Sequence, residues 1–191
     1  MPLILASSSS IRRDLLAAAG VAVDIVVPAF EEEPVKAAHD GDGESLALAL
    51  AEGKAASLGR PGWTIGADSL VSVDGRRFSK PRTRAEAADH LRFFSGKEMR
   101  LSSAVALARA GAVDWSHVDA ARLFVRPLSQ AFIDEYLAAE WPAIGWCAGS
   151  FRMEARGPTL FERVEGSHFT ILGLPLLPLL GALRDRQLIL A

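Results

Sequence analysis

Cysteine is nearly absent. Cys147 is the only one among 191 residues, so no disulfide can close within the chain, and CxxC redox motifs and paired-cysteine zinc patterns are excluded. A cytoplasmic protein is the simplest reading. An excess of basic residues is also missing: 21 Lys and Arg against 23 Asp and Glu leave a formal net charge of −2. A broad electrostatic surface for nucleic acid is therefore not expected, and any anion must be bound locally. No basic residue precedes the first apolar run, which is far shorter than a signal-peptide core, and this speaks against export. The longest apolar stretch, Phe169 to Leu183, is too short for a membrane span and contains Pro175 and Pro178, so no membrane partner is expected. Repeats, low-complexity tracts and linkers are missing too, which favours one domain over residues 1–191. Half the residues are hydrophobic, enough for a substantial core.

Several catalytic signatures are absent as well. The four histidines have no triad-like spacing, and no GxSxG elbow surrounds the serines at 7–10. Gly53-Lys54 looks like the end of a P-loop, but Ala55 follows and the upstream glycine is missing, so a Walker A site is rejected.

What the chain does have begins at its first sixteen residues. The apolar run through Leu3-Ile4-Leu5-Ala6 stops at Ser7-Ser8-Ser9-Ser10, Ile11-Arg12-Arg13 follow, and an amphipathic segment starts: strand, polar turn, helix. Hydroxyls, guanidinium groups and the free N–H groups of a helix start together suit an anion. A serine-rich N-cap with solvated arginines is the alternative reading of the same residues.

Farther along, a helix over Asp14 to Gly20 leads to a β-branched strand over Val21 to Val27. Phe30-Glu31-Glu32-Glu33-Pro34 reads as an acidic loop, either solvated or shared by a hard cation. Glu44 to Leu58 is a helix with Leu46, Leu50, Ala51 and Leu58 on one face and Lys54 beside it. Trp63 to Val73 is a β-rich run interrupted at Gly66-Ala67, with Asp68 where backbone can approach a ligand closely. Asp74-Gly75 turns it back, bringing Asp68 and Lys80 towards one end of the sheet, as a metal-and-phosphate pair or as a surface ion pair.

Thr83 caps a helix over Arg84 to Phe94, and Ser95-Gly96-Lys97 ends it. Long strands over Leu101 to Ala110 and Ala112 to Val125 join at Gly111, and Ser129 caps a helix through Glu140. Ile144 to Gly157 is irregular, with Phe151, Arg152, Glu154 and Arg156 interspersed. Such a loop can recognise a base, the ring stacking and the acid accepting, or it can be structural. A strand from Leu160, a turn at Gly166-Ser167-His168 and a helix over Leu174 to Leu183 close the chain. The remaining inventory of carboxylates, cations and hydroxyls matches metal-assisted phosphoryl or nucleotidyl chemistry.

These residues resemble the Maf family of nucleoside triphosphate pyrophosphatases nearly from end to end. The resemblance is carried by Leu5 to Arg13, Glu32, Lys54-Ala55, Gly66-Ala67-Asp68, Lys80-Pro81, Ser95-Gly96-Lys97, Gly166 and Gly173-Leu174-Pro175-Leu176. It implies an α/β, inosine-triphosphatase-like (Maf/Ham1) fold: a mixed twisted sheet with flanking helices and two lobes around a cleft, commonly as a homodimer. It further implies hydrolysis of a nucleoside triphosphate to monophosphate and pyrophosphate with Mg²⁺ or Mn²⁺. By the same resemblance Ser7, Ser9, Arg12, Lys54 and Lys80 hold the triphosphate, and Arg13 matches a subset of members. Asp68, Glu32 and Lys80 form the catalytic set, with Glu32 and Asp68 binding metal and Asp68 orienting water.

Cys147-Ala148-Gly149-Ser150-Phe151 and Glu154 look like the branch acting on 7-methyl-GTP rather than the one acting on dTTP and UTP. Glu154 would accept from a guanine edge; Phe151 would support the loop or face the base. Ser69, Ala155 and Pro158 depart from that branch. The rival from another class is a nucleotide-binding regulator of cell division without turnover.

Overall fold

The computed structural model describes residues 3–190; Met1 and Pro2 of the opening stretch, and Ala191, lie outside the described residues. The elements in order are β1 (Leu3–Ala6), α1 (Ser10–Ala18), β2 (Val23–Ile25), α2 (Glu32–Ala38), α3 (Gly43–Ala56), β3 (Trp63–Val73) and β4 (Arg76–Phe78). They continue with α4 (Arg84–Phe94), β5 (Glu98–Arg109), β6 (Ala112–Val125), α5 (Gln130–Glu140), β7 (Phe161–Glu165), α6 (His168–Ile171) and α7 (Leu176–Asp185). The strands form a seven-stranded mixed sheet in the order β2-β1-β3-β5-β6-β7, with β4 paired to β3. The expected α/β class with a mixed sheet and flanking helices is what the chain adopts. Among the described residues no helix is long and apolar enough to cross a membrane.

Two compact units divide the chain: Met1–Ser69, Ser102–Ala120 and Ser167–Ala191 in the first, Leu70–Leu101 and Ala121–Gly166 in the second. In the first, β1 runs parallel to both β2 and β3, with Ala6 opposite Gly66. Alternate residues Leu3 and Leu5, Ile65 and Ala67, and Val105 and Leu107 share a core with Leu16 of α1 and Leu176, Leu179 and Leu183 of α7. Period-two burial on the strands against a helical stripe is what fixes this register.

Helix α3 lies against β3 at Gly66. A Cβ there would fall on the Ala51 carbonyl oxygen and the Ala55 amide nitrogen, and 2.9 Å from Ala55 Cα. This corrects the expectation of an interrupted run: β3 continues without a break from Trp63 to Val73, and the backbone that approaches Gly66 is that of a helix, not a ligand.

The acidic segment is also corrected. Instead of a loop, Glu32 to Ala38 is a seven-residue helix with Glu32 and Glu33 in its first turn. Carboxylates are favourable at a helix N-terminus, and Lys36 pairs with Glu32 one turn on, at 2.8 Å.

In the second unit β4 pairs antiparallel with β3 through an Asp74-Gly75 turn, in which both residues take positive φ as a two-residue hairpin demands. Helix α4 is capped by Thr83, whose hydroxyl accepts from the Glu86 amide, and α5 is capped in the same way by Ser129. The irregular stretch from residue 144 holds two short 3₁₀ turns, Ala143–Trp146 and Gly157–Leu160.

Candidate active site

Strand β1 stops at Ala6, opposite Gly66 in the middle of the parallel strand β3, and the polar turn begins there. Ser7 is buried, and its hydroxyl accepts from the Ser9 amide at 3.2 Å. Ser9 caps α1 by accepting from the Arg12 amide. Arg12, the third residue of α1, sends its guanidinium back across the strand ends. Nε donates to the Gly173 carbonyl at 2.8 Å, Nη1 to the Ala67 carbonyl at 2.9 Å and to Ser7 Oγ at 3.3 Å, and Nη2 to Ser69 Oγ at 3.0 Å. Burial pulls its pKa below the ordinary arginine value, and the charges of Asp68 and Glu32 oppose that.

Arginine carries five N–H donors, and four of them go to protein acceptors here. These bonds tie α1 to β3 and to the segment around Gly173, and the N-cap of the alternative reading is present at Ser9. Arg13, grouped with the substrate-binding residues, turns outward and pairs with Asp14 at 2.8 Å.

Gly173 closes against this tie with φ of +92°, and a Cβ on it would stand 3.1 Å from Ser69 Oγ. Left-handed backbone and a crowded neighbour both call for glycine. Behind Ser69 lies a relay absent from the sequence reading: Ser69 Oγ meets Ser103 Oγ at 2.8 Å, Ser103 donates to the Thr170 carbonyl, and Thr170 donates to Asp119 at 2.6 Å. The available signal was Ser102-Ser103 inside an apolar strand, since buried hydroxyls need partners.

Asp68 lies two residues beyond Gly66 and so projects from the same face of β3, towards α3. The close packing at Gly66 brings Lys54, in the last turn of α3, to Asp68: Nζ lies 2.5 Å from Oδ1 and also 2.7 Å from Glu32 Oε1. The position of Lys54 at a helix C-terminus agrees with rejecting a Walker A site, whose lysine sits at a helix start. Lys36 completes the row, 2.8 Å from Glu32 Oε2 and 3.0 Å from Glu33. Burial would raise the Glu32 carboxyl, but hydrogen bonds from Lys36 and Lys54 outweigh it and hold the pKa at about 2. Phe30 seats Glu32: its ring lies over Gly53, where a Cβ would come 2.5 Å from Cε2. Lys36 was missed because its i,i+4 spacing from Glu32 has meaning only on a helix.

Three expected site residues belong to the second unit. Lys80 is exposed just beyond β4, and Glu154 is exposed on a turn. The charges of both reach the half-buried Cys147 thiol. Burial and then Glu154 push that thiol up to about 11, against the opposing pull of Arg152 and Lys80. Phe151 is 6% exposed and packs edge-on to Phe161 at 5.0 Å between centroids. This packing supports the loop. The loop is pinned by Arg152, whose Nε and Nη2 both reach buried Glu140, and by Ser150, whose hydroxyl meets His90 Nδ1 at 3.2 Å. Burial keeps the His90 pKa below its ordinary value.

Fold and site together define a mixed α/β protein that gathers carboxylates, ammonium groups and hydroxyls just past the carboxyl end of β1, beside the middle of β3. Residues 2–186 match the family described as Maf-like protein, and the chain belongs to the Maf family. A nucleoside triphosphate pyrophosphatase of Sphingopyxis alaskensis is 46% identical over 96% of this chain and 96% of its own length. A 7-methyl-GTP pyrophosphatase of Rhizobium meliloti is 44% identical over 96% of this chain and 95% of its own. Among solved structures, the Ham1 protein of Staphylococcus aureus aligns over 97% of this chain and 98% of its own at 13% identity, with a TM-score of 0.49.

Proposed function

We propose that the protein hydrolyses a nucleoside triphosphate to its monophosphate and pyrophosphate, with 7-methyl-GTP as the preferred substrate. The observation that carries the reading is the meeting of Asp68, Glu32 and Lys54 within hydrogen-bond distance beside the polar turn after β1. The names borne by relatives at 46% and 44% identity support the same chemistry. Asp68 orients the attacking water and accepts its proton; Lys54, with the hydroxyls of Ser7 and Ser9, receives the phosphates. Arg12 positions Ser7 and the Ala67–Ser69 backbone. Glu154 selects the base, and the Glu140–Arg152 pair holds its loop.

The oxygen-only donor set of Glu32 and Asp68 fits Mg²⁺ or Mn²⁺, hard cations that keep several waters and share substrate phosphate oxygens. When bound, such a cation neutralises charge that develops on the phosphates. Glu32, held ionised by Lys36 and Lys54, presents the carboxylate that such a cation would need. A homodimer and a cytoplasmic location belong to the same proposal.

Pyrophosphate release measured with Mg²⁺ and with Mn²⁺ across the common triphosphates and 7-methyl-GTP tests it. The expected ranking places 7-methyl-GTP first; dTTP or UTP first would move the protein to the other branch. Asp68→Asn should lower release by about 10²-fold or more, the range for loss of a general base. Full metal-dependent release by that variant would remove Asp68 from its role. Triphosphate binding with no product in any metal would favour a regulator without turnover.

A further inference from the structure

The resting site is charge-balanced. Lys36, Lys54 and Arg12 supply three positive charges against the three negative charges of Glu32, Glu33 and Asp68, all linked by short contacts or by direct electrostatic influence. The Lys54 ammonium occupies the point between Glu32 Oε1 and Asp68 Oδ1, with its side chain 12% exposed. A divalent ion ligated by those two oxygens would need the space that Nζ fills, because metal–oxygen distances of about 2.1 Å for Mg²⁺ leave no room for both.

We propose that Lys54 is a built-in counter-cation that keeps divalent metal off Glu32 and Asp68 until a triphosphate arrives. The inference rests on the function proposed above. A metal entering without a nucleotide must expel an ammonium from a largely buried position and leave the row with surplus positive charge, which is unfavourable where water is scarce. A polyphosphate changes both terms: its oxygens accept the displaced ammonium, and its charge offsets that of the metal. Lys36 stays on Glu32 Oε2 throughout, so the carboxylate keeps its orientation and the exchange is confined to one flexible side chain. Metal and nucleotide therefore bind as a unit, and free metal binds poorly.

Direct titration of Mn²⁺ without nucleotide, read by the electron paramagnetic resonance of the free ion, tests this on the whole chain. Lys54→Met keeps the apolar stem and removes the charge. It should bind Mn²⁺ about tenfold or more tightly than wild type, as expected for two carboxylates relieved of a neighbouring cation. Its melting temperature should also rise more on adding Mn²⁺ than that of wild type. Lys54→Arg, which keeps the charge, should stay at the wild-type affinity, and adding Asp68→Asn to Lys54→Met should erase the gain. Equal Mn²⁺ affinity in folded wild type and Lys54→Met would overturn the proposal, as would a gain that survives Asp68→Asn. Lys54→Gln replaces Lys54→Met if the latter does not fold. Pyrophosphate release by wild type is scored separately: its absence with every triphosphate overturns the proposed activity, while the Mn²⁺ comparison still decides the role of Lys54.

Discussion

Gly66→Ala probes the contact on which the site's geometry depends. The added methyl would fall on the Ala51 carbonyl oxygen and the Ala55 amide nitrogen of α3, with Ala55 Cα at 2.9 Å. All three are backbone atoms of one helix, so no side-chain rotation relieves the clash, and α3 must move away from β3 by about an ångström to restore ordinary contact near 3.5–4.0 Å. Overpacking of this kind costs about 1–3 kcal/mol, and the upper end applies where only whole-helix movement relieves it. The same displacement carries Lys54 away from Asp68, now 2.5 Å from it. A misplacement of about 1 Å at reacting groups can cost on the order of 10²-fold in rate. Urea unfolding followed by circular dichroism, together with pyrophosphate release on the folded fraction, measures both effects. A variant within about 0.5 kcal/mol of wild type, the range of a neutral surface change, and with full turnover would refute the claim that Gly66 sets the α3–β3 distance.

Two further outcomes follow from the same geometry. Arg12→Ala takes its donor from the Ala67 carbonyl and leaves the Gly173 carbonyl only the 3.3 Å bond from Ser69 Oγ; at about 1–3 kcal/mol for an unsatisfied group, thermal or urea unfolding should show a clear loss of stability, and turnover should fall alike for all bases. Glu32→Gln removes a carboxyl held at about 2 against an ordinary 4.5. Because the folded pKa is depressed, Glu32 contributes stability that is present above pH 4.5 and lost as pH falls towards 2; the gap between the urea midpoints of wild type and variant should therefore narrow steadily as pH is lowered from 4.5 towards 2, and a constant gap would count against the Lys36 and Lys54 hydrogen bonds.

How much of this was legible in the sequence depended on whether a residue's signal is local. The helices capped by Thr83 and Ser129 begin and end where caps and periodicity place them, because a hydroxyl acceptor and an apolar stripe are both written within a few residues. Helix α2 was not legible: none of its residues is buried, so it has no stripe, and only the Glu32–Lys36 spacing marks it. Gly66 was visible as a special position but not as a contact with α3, since glycine marks a break, a bulge and a close approach with the same letter. Arg12 shows the limit most clearly. A guanidinium satisfies phosphate oxygens and backbone carbonyls equally well, so its presence at a strand-to-helix turn names the chemistry without naming the partner. The choice is made by residues 55 to 161 positions away, Ala67 and Gly173, whose carbonyls arrive only when the sheet and the segment before α7 are in place. Lys54 follows the same logic with a different outcome. Its partners are carboxylates, which a metal can take over, whereas the Arg12 partners are carbonyls buried with the fold. In the exchange proposed above Lys54 is the cation that changes partners, while the Arg12 bonds to Ala67 and Gly173 keep α1, β3 and the segment before α7 in register around it.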